Sequence, residues 1–326
     1  MNHRMKRREF IALLGGAAAW PIGARAQQPN RVRQVGVLIG GARDDLVSQR
    51  LAAVFRDALG KLGWTDGANV RIDVRFVGGD LDRARAAAAE IVSLAPEVVF
   101  VGTGTATRAV QEETQTIPIV YIGPSAEAGI VKNIARPEGN ITGFPILYPS
   151  IAGKWVELLK EADPRIARIA LYRNVDYLPF AQEAAAALAV KLDTIASQED
   201  AETERTIDEF AAEPNGSVIV MPSTVSATRT NRDLVRRLAE KHRLPAIHWD
   251  GSFPAEGGLM SYGSNLEDLH RRAASYVDRL LRGTKVSELP IERPTKFELI
   301  INVKAAKAIG LTIPESFLLR ADGLIE

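Results

Sequence analysis

The chain has 326 residues, 46% hydrophobic and 25% charged, the balance of an ordinary globular protein long enough for two domains. Its formal charge of +1 hides an asymmetry: Arg4, Lys6, Arg7, Arg8 and Arg25 crowd the start against Glu9 alone, so the remainder is mildly acidic. An acidic body has no electrostatic footprint for nucleic acid. The absence of cysteine excludes disulfides, thiolate catalysis and Cys-based metal or iron–sulfur sites.

Residues 1–26 read as an export signal. Lys6-Arg7-Arg8-Glu9-Phe10-Ile11 supplies the charge, Ile11 to Ala19 a short apolar core, and Ala24-Arg25-Ala26 an A-x-A exit, with Gln27 as the expected first mature residue. The apolar core is too short to span a bilayer, so no stable membrane insertion is expected. Paired arginines followed by x-Phe-Ile resemble the twin-arginine type, which exports folded proteins; a general secretory signal that carries two arginines is the alternative. No Cys follows to take a lipid anchor, and a free periplasmic protein is expected.

Beyond the signal, strand and helix patterns alternate. Arg33 to Ile39 is a buried-strand pattern ending at Gly40-Gly41, and Leu51, Val54, Phe55, Ala58, Leu59 and Leu62 then recur at helical spacing up to Gly63. Val70 to Phe76 alternates like a half-buried edge strand, and an Ala-rich helix from about Asp82 to Leu94 is closed by Pro96. Val98 to Val101 and Pro118 to Ile122 are further strands, each followed by a helix pattern, the first through Val110 and the second to about Ala135.

The stretch Gly139 to Trp155 breaks this rhythm. Gly139, Gly143, Pro145 and Pro149 punctuate a β-type segment, Ile141 to Leu147, in a way that suits a chain crossing between two bodies. Ser150 is the expected N-cap of a helix whose apolar side carries Trp155, Val156, Leu158 and Leu159. The alternative is an interior loop of one large α/β domain. After it the alternation resumes: strands at Ile166 to Tyr172, Leu192 to Ala196, Ser217 to Met221 and Leu244 to Trp249, with helices between. Gly258 to Tyr262 and Lys296 to Asn302 read as second and third crossings, around a helix from Leu266 to Leu281.

Two such runs imply two doubly wound, Rossmann-like α/β lobes with parallel sheets, joined by three hinge crossings. The expected division is residues 27–142 plus 262–292 for one lobe, and 143–261 plus 293–326 for the other.

In open parallel sheets ligands bind beyond the carboxyl ends of the strands. Those ends are Gly40-Gly41, Gly102-Thr103-Gly104-Thr105, Gly123-Pro124-Ser125, Arg173-Asn174, Pro222-Ser223-Thr224 and Asp250-Gly251. Backbone N–H groups at Thr103 to Thr105 suit a carboxylate, though the same residues also serve simply as a strand-to-helix turn. The Gly102-x-Gly104 pair fails as a dinucleotide loop, since Thr107 stands where the third Gly belongs. No P-loop, Gly-x-Ser-x-Gly elbow or His-Glu-x-x-His occurs, and no cofactor or metal is expected. His248 and Asp250 at one strand end leave an acid–base pair open, against a satisfied strand-end histidine.

Several longer stretches resemble one family together: Val35-Gly36-Val37-Leu38, Ala135-Arg136-Pro137-Glu138-Gly139-Asn140-Ile141-Thr142-Gly143 and Gly153-Lys154-Trp155-Val156-Glu157-Leu158-Leu159-Lys160. Downstream follow Gly257-Gly258-Leu259-Met260-Ser261-Tyr262-Gly263, Pro294-Thr295-Lys296-Phe297-Glu298-Leu299 and Gly310-Leu311-Thr312-Ile313-Pro314. The chain resembles periplasmic substrate-binding proteins of ABC importers, the branch with tryptophan- and tyrosine-binding members. The resemblance implies a type I periplasmic-binding-protein fold, no catalysis, and delivery of a small solute to permease subunits with their ATPase. It implies a cleft drawing on Gly102 to Ala106, Asn174 and Tyr262.

The sequence also departs from the family pattern. Pro124-Ser125 and Pro222-Ser223 stand where relatives often carry Asp-Pro and Pro-Asp. A desolvated ammonium needs a carboxylate, so Asp44, Asp45, Asp176 or Asp250 would have to substitute, whereas Arg173 favours an anionic solute. The expected ligand is a small carboxylate-bearing metabolite or amino acid, aromatic ones included, and a monomer suits hinge-bending delivery. Two other classes remain open from sequence alone: a sensor presenting the same clamshell to a membrane receptor, and a periplasmic enzyme using His248 and Asp250.

Overall fold

The computed structural model describes residues 32–123, 133–172, 176–195, 200–222 and 229–326. The expected export signal and most of the helix expected before Ala135 lie outside them. Along the chain come β1 (Arg33–Ile39), α1 (Leu46–Lys61), β2 (Val70–Phe76), α2 (Leu81–Ser93), β3 (Val98–Val101), α3 (Gly104–Glu113), β4 (Ile119–Gly123) and β5 (Ile141–Pro145). These five strands pair in parallel in the order β2-β1-β3-β4-β5.

The period of two along each strand decides which helices cover which face. Val98 and Phe100 of β3 join Val35, Val37 and Ile39 of β1 in one core, under Phe55 and Leu59 of α1. Val99, Val101 and Leu38 point the other way, against Ala84, Ala88 and Ile91 of α2 and Ala106 and Val110 of α3. Gly36 lets α2 approach, since a Cβ there would lie 2.3 Å from Ile91 Cγ2.

The second run gives α4 (Ile151–Ala162), β6 (Arg168–Tyr172), α5 (Leu178–Ala187), β7 (Lys191–Ile195), α6 (Asp200–Ala211), β8 (Gly216–Val220), α7 (Arg229–His242), β9 (Ala246–His248), the short α8 (Ser252–Ala255) and β10 (Met260–Ser264). Then follow α9 (Leu266–Leu281), β11 (Phe297–Asn302), α10 (Val303–Ala308), α11 (Glu315–Leu318) and β12 (Gly323–Ile325). The second sheet is β12-β11-β10-β9-β8-β6-β7, parallel except where β10 and β11 run antiparallel. One face packs on α4 and α5 through Trp155, Leu159, Ala181, Ile219 and Ile247; the other packs on α6 and α7 through Ile207, Phe210, Val218, Leu234 and Leu238.

Helix α9 follows a strand of the second sheet and packs on the first. Its Leu269, Ala273, Tyr276, Val277 and Leu280 complete the α1 side of that core. Trp64 Nε1 donates to Asp278 Oδ1 at 2.8 Å, and Arg282 Nη2 donates to the Leu62 carbonyl at 2.9 Å. Buried Thr142 on β5 donates to the Leu289 carbonyl at 2.6 Å, tying the segment after α9 to the same sheet.

Two sequence expectations are corrected here. The segments read as crossings at Gly258 to Tyr262 and Lys296 to Asn302 are paired members of the second sheet, and Ile141 to Pro145 belongs to the first. The passages lie beside these strands, at 146–150, at Asn265 and at 293–296. Glycine-bounded β patterns serve sheet membership and crossing alike, so periodicity could not part them. Ser150 sits where the cap was expected but is helical itself (φ −61°, ψ −17°) and makes no side-chain cap. The Tyr148 and Pro149 carbonyls take the N–H groups of Ile151 and Ala152 instead, at 3.0 and 3.1 Å.

The three passages are bonded to one another. Ser264 Oγ donates to the Ile146 carbonyl, Asn265 N donates to the Lys296 carbonyl at 3.1 Å, and the Arg293 guanidinium lies 4.4 Å over the Tyr148 ring.

Candidate ligand cleft

On the first sheet, the ends of β1, β3 and β4 converge because glycines let them. A Cβ at Gly40 would come within 2.9 Å of Thr103 Cβ, and one at Gly123 within 3.3 Å of the Gly104 nitrogen. Gly41 borders the start of α1, where Asp45 accepts from Ser48 N at 3.1 Å and from Ser48 Oγ at 2.6 Å; a Cβ at Gly41 would collide with that hydroxyl at 1.9 Å. Thr103 is extended (φ −160°, ψ 145°) and makes no side-chain cap on α3. Its carbonyl accepts both N and Oγ1 of Thr107, at 3.0 and 2.8 Å. Gly40, Gly41, Thr103, Gly104 and Thr105 are thus brought to one partly exposed edge.

Asp250 lies at the corresponding end of β9. Its Oδ1 accepts from Ser252 N at 2.9 Å, and its Oδ2 is 3.7 Å from Arg232 Nη1. Arg232, with 6% of its side chain exposed, makes a two-pronged pair with Glu256 at 2.7 and 2.8 Å. Burial pulls its pKa down, but the Glu256 hydrogen bond and the charges of Asp250, Glu256 and Asp45 outweigh that and hold it above the ordinary arginine value.

The acid–base pair suggested for His248 and Asp250 is not formed by their side chains. Buried His248 accepts at Nδ1 from the backbone N–H of Asp250 at 2.9 Å, while the Asp250 carboxylate serves Ser252 and Arg232. Tyr262 lies on β10 and is partly exposed. It stacks on Phe297 at 5.9 Å, its carbonyl accepts from Trp155 Nε1 at 2.7 Å, and burial raises its phenol's pKa amid the charges of Lys154, Asp322, Arg320 and Glu157. Those groups belong to α4 and the C-terminal segment. The expected contacts Pro124, Ser125, Arg173, Asn174 and Ser223 lie outside the described residues.

A concavity of about 340 Å³ opens beside the passages, lined by Tyr148, Pro149, Ser150, Asp176, Phe180 and Arg293. It sits at the parallel N-termini of α4 and α5, the end of the second sheet where β6 and β8 finish. Among the described residues, no group of three His, Cys, Asp or Glu side chains is placed to hold a metal.

Residues 47–325 match the family model described as "ABC transporter substrate binding protein". The chain belongs to this family. Members of this substrate-binding family bind small solutes, work with permeases and act outside the cytoplasm; no described helix here is long and apolar enough to cross a membrane. This substrate-binding protein is 24% identical over 262 residues to the tyrosine-binding protein of Clostridioides difficile (strain R20291), covering 79% of this chain and 75% of that one. Its fold matches a conserved domain protein of Vibrio cholerae with a TM-score of 0.79 at 24% identity, over 90% of this chain and 100% of the other. A Streptococcus pneumonia ABC domain in complex with L-Trp gives 0.78 at 23% identity with the same coverage. The type I periplasmic-binding-protein fold is therefore confirmed, with two lobes.

Sequence reasoning missed Arg232, Arg293 and Phe180. Arg232 is a buried polar group inside a helical pattern, and only a tertiary neighbour from a remote segment distinguishes it from an ordinary helix-surface residue. Phe180 did carry a signal: a bulky apolar residue in the first turn of a helix that follows a strand end.

Proposed function

We propose that the protein captures a small carboxylate-bearing solute between the carboxyl ends of its two sheets and hands it to an ABC permease. Aromatic amino acids are the first class to test, since the named relatives include a tyrosine-binding protein and an L-Trp complex. The observation that carries the reading is the arrangement of the passages: three short segments bonded to each other join two separately cored sheets, with a concavity of about 340 Å³ beside them. Such a joint allows closure by small backbone rotations while both cores stay intact.

In this reading the Thr103–Gly104–Thr105 edge, with Gly40 and Gly41, receives the solute from one side. Pro124, Ser125, Arg173, Asn174 and Ser223 complete the contact. Asp250 supports it indirectly, through Arg232 and the start of α8. The protein acts as a periplasmic monomer exported through residues 1–26 and cleaved after Ala26, without catalysis.

A thermal-shift screen of Gln27 to Glu326 against amino acids, aromatic acids and short carboxylates tests this. One chemical class should raise the melting temperature, by roughly 2.7 kcal/mol of stabilisation at a hundredfold excess over Kd. Small-angle scattering should show the same compound compacting the molecule. The reading fails if no compound shifts the melt and mass spectrometry of the denatured protein finds no solute already bound.

A further inference from the structure

His270 occupies the apolar side of α9 yet ends in a polar atom behind the end of β3. It is 2% exposed. Its Nδ1 lies 2.7 Å from the Leu266 carbonyl, which can only accept, so Nδ1 carries the proton and Nε2 carries a lone pair. Phe100 meets the ring edge-on at 5.4 Å. Because side chains alternate along β3, the vacant Cβ direction of Gly102 points to the same face as Phe100. A Cβ built there would lie 3.5 Å from His270 Nε2, 3.6 Å from the Leu38 carbonyl oxygen and 3.8 Å from Ile39 Cδ1. Among the described residues Nε2 has no hydrogen-bond partner.

The space over Gly102 is therefore bounded by the Nε2 lone pair, by the Leu38 carbonyl, which already accepts from Gly102 N at 2.8 Å and keeps its second lone pair, and by a methyl group, at a strand end that is partly exposed. It does not suit an anion, which would face two lone pairs. Nor does it suit an ammonium, because a desolvated cation needs a carboxylate. The closest acid along α9, Glu267, is engaged with Arg50 at 2.5 Å and Arg271 at 2.7 Å.

We propose that His270 is a solute-recognition residue, its Nε2 and the Leu38 carbonyl accepting from an uncharged O–H or N–H of the solute lodged over Gly102. This rests on the solute-capture reading and adds a demand to it. The carboxylate end of the ligand lies elsewhere, and the end that enters here carries a neutral donor. Burial pushes the imidazole down to about 4, with the Leu266 hydrogen bond and Glu267 opposing, so Nε2 stays an acceptor across the neutral range.

Calorimetric titration of the exported protein with L-tyrosine, L-tryptophan and L-phenylalanine tests the assignment. A probe with a ring O–H or N–H should bind roughly fivefold to tenfold more tightly than L-phenylalanine, the yield of about one net hydrogen bond. Gly102→Ala should remove that preference while keeping the melting temperature, since its Cβ meets only ordinary contacts. His270→Phe should remove it too, and His270→Gln, which keeps an acceptor, should restore part of it. Binding to wild type that Gly102→Ala leaves unchanged overturns the proposal but not solute capture.

If none of the probes binds, the aromatic class is excluded and a crystal structure of the protein as purified decides the role of His270. A solute atom or an ordered water within hydrogen-bond distance of both Nε2 and the Leu38 oxygen supports it. A dry or apolar-filled position overturns it.

Discussion

Gly143 and Gly60 show how differently two glycines are used. Gly143 sits on β5 at φ +151°, where an L side chain is strained, and a Cβ would lie 2.1 Å from the Tyr121 carbonyl oxygen of the neighbouring strand. Gly143→Ala should therefore lose about 3 kcal/mol or more in urea denaturation, because strand pairing must shift. Gly60 lies in the last turn of α1 with nothing near its Cβ position. Gly60→Ala should gain roughly 0.5–1 kcal/mol by restricting the unfolded chain. A gain at position 143 or a clear loss at 60 would contradict the packing described. At this scale the sequence was partly readable: Gly143 was legible as punctuation, but the reason for it is a carbonyl on another strand that no local pattern reveals. His270 was likewise visible only as a histidine, because its meaning depends on Gly102, which α9 reaches through tertiary packing.

At the level of elements, hydrophobic period was a reliable guide. The split of Val98 and Phe100 from Val99 and Val101 assigns two faces before any helix is placed, and the helices follow at the spacing of their apolar residues. Period failed at the passages, where sheet membership is decided by which neighbour offers hydrogen bonds. Thr142 offers a test of one such join. Its hydroxyl reaches the Leu289 carbonyl from a fully buried position, so Thr142→Val keeps the shape and orphans the carbonyl. A loss of about 1–3 kcal/mol with an unchanged urea m-value is expected. A neutral result would mean that the segment after α9 is held by packing alone.

For the whole molecule, acid stability is set by groups of two kinds. His270 is held at about 4 by burial, against an unperturbed value of 6.5. The unfolded imidazole takes its proton first, so stability present above pH 6.5 is lost as pH falls towards 4, to a total of roughly 3 kcal/mol. Burial pushes the Glu292 and Asp163 carboxyls up, but Arg272 and Tyr276 on the one and Arg165 on the other hold them below the usual range. Their contribution is present above the ordinary carboxylate pKa and fades only at lower pH. The melting temperature of wild type should thus start to fall near pH 6, while His270→Phe holds level until the carboxylates titrate. Parallel curves for the two proteins would remove His270 from this account.

The contacts between α1 and α9 also govern the order in which the molecule can assemble. The Trp64–Asp278 and Arg282–Leu62 bonds span 214 and 220 positions of sequence. When β5 leaves the ribosome, Phe55 and Phe100 already have each other, stacked at 4.3 Å, but the helix that covers their flank is still unmade. The first lobe must wait, part-covered, through synthesis of nearly the whole second one. Closure of so long a loop is slow, and the waiting apolar face is open to other chains meanwhile. The lobe made first is the lobe finished late, so a stalled or truncated chain ending before α9 exposes a ready surface for aggregation.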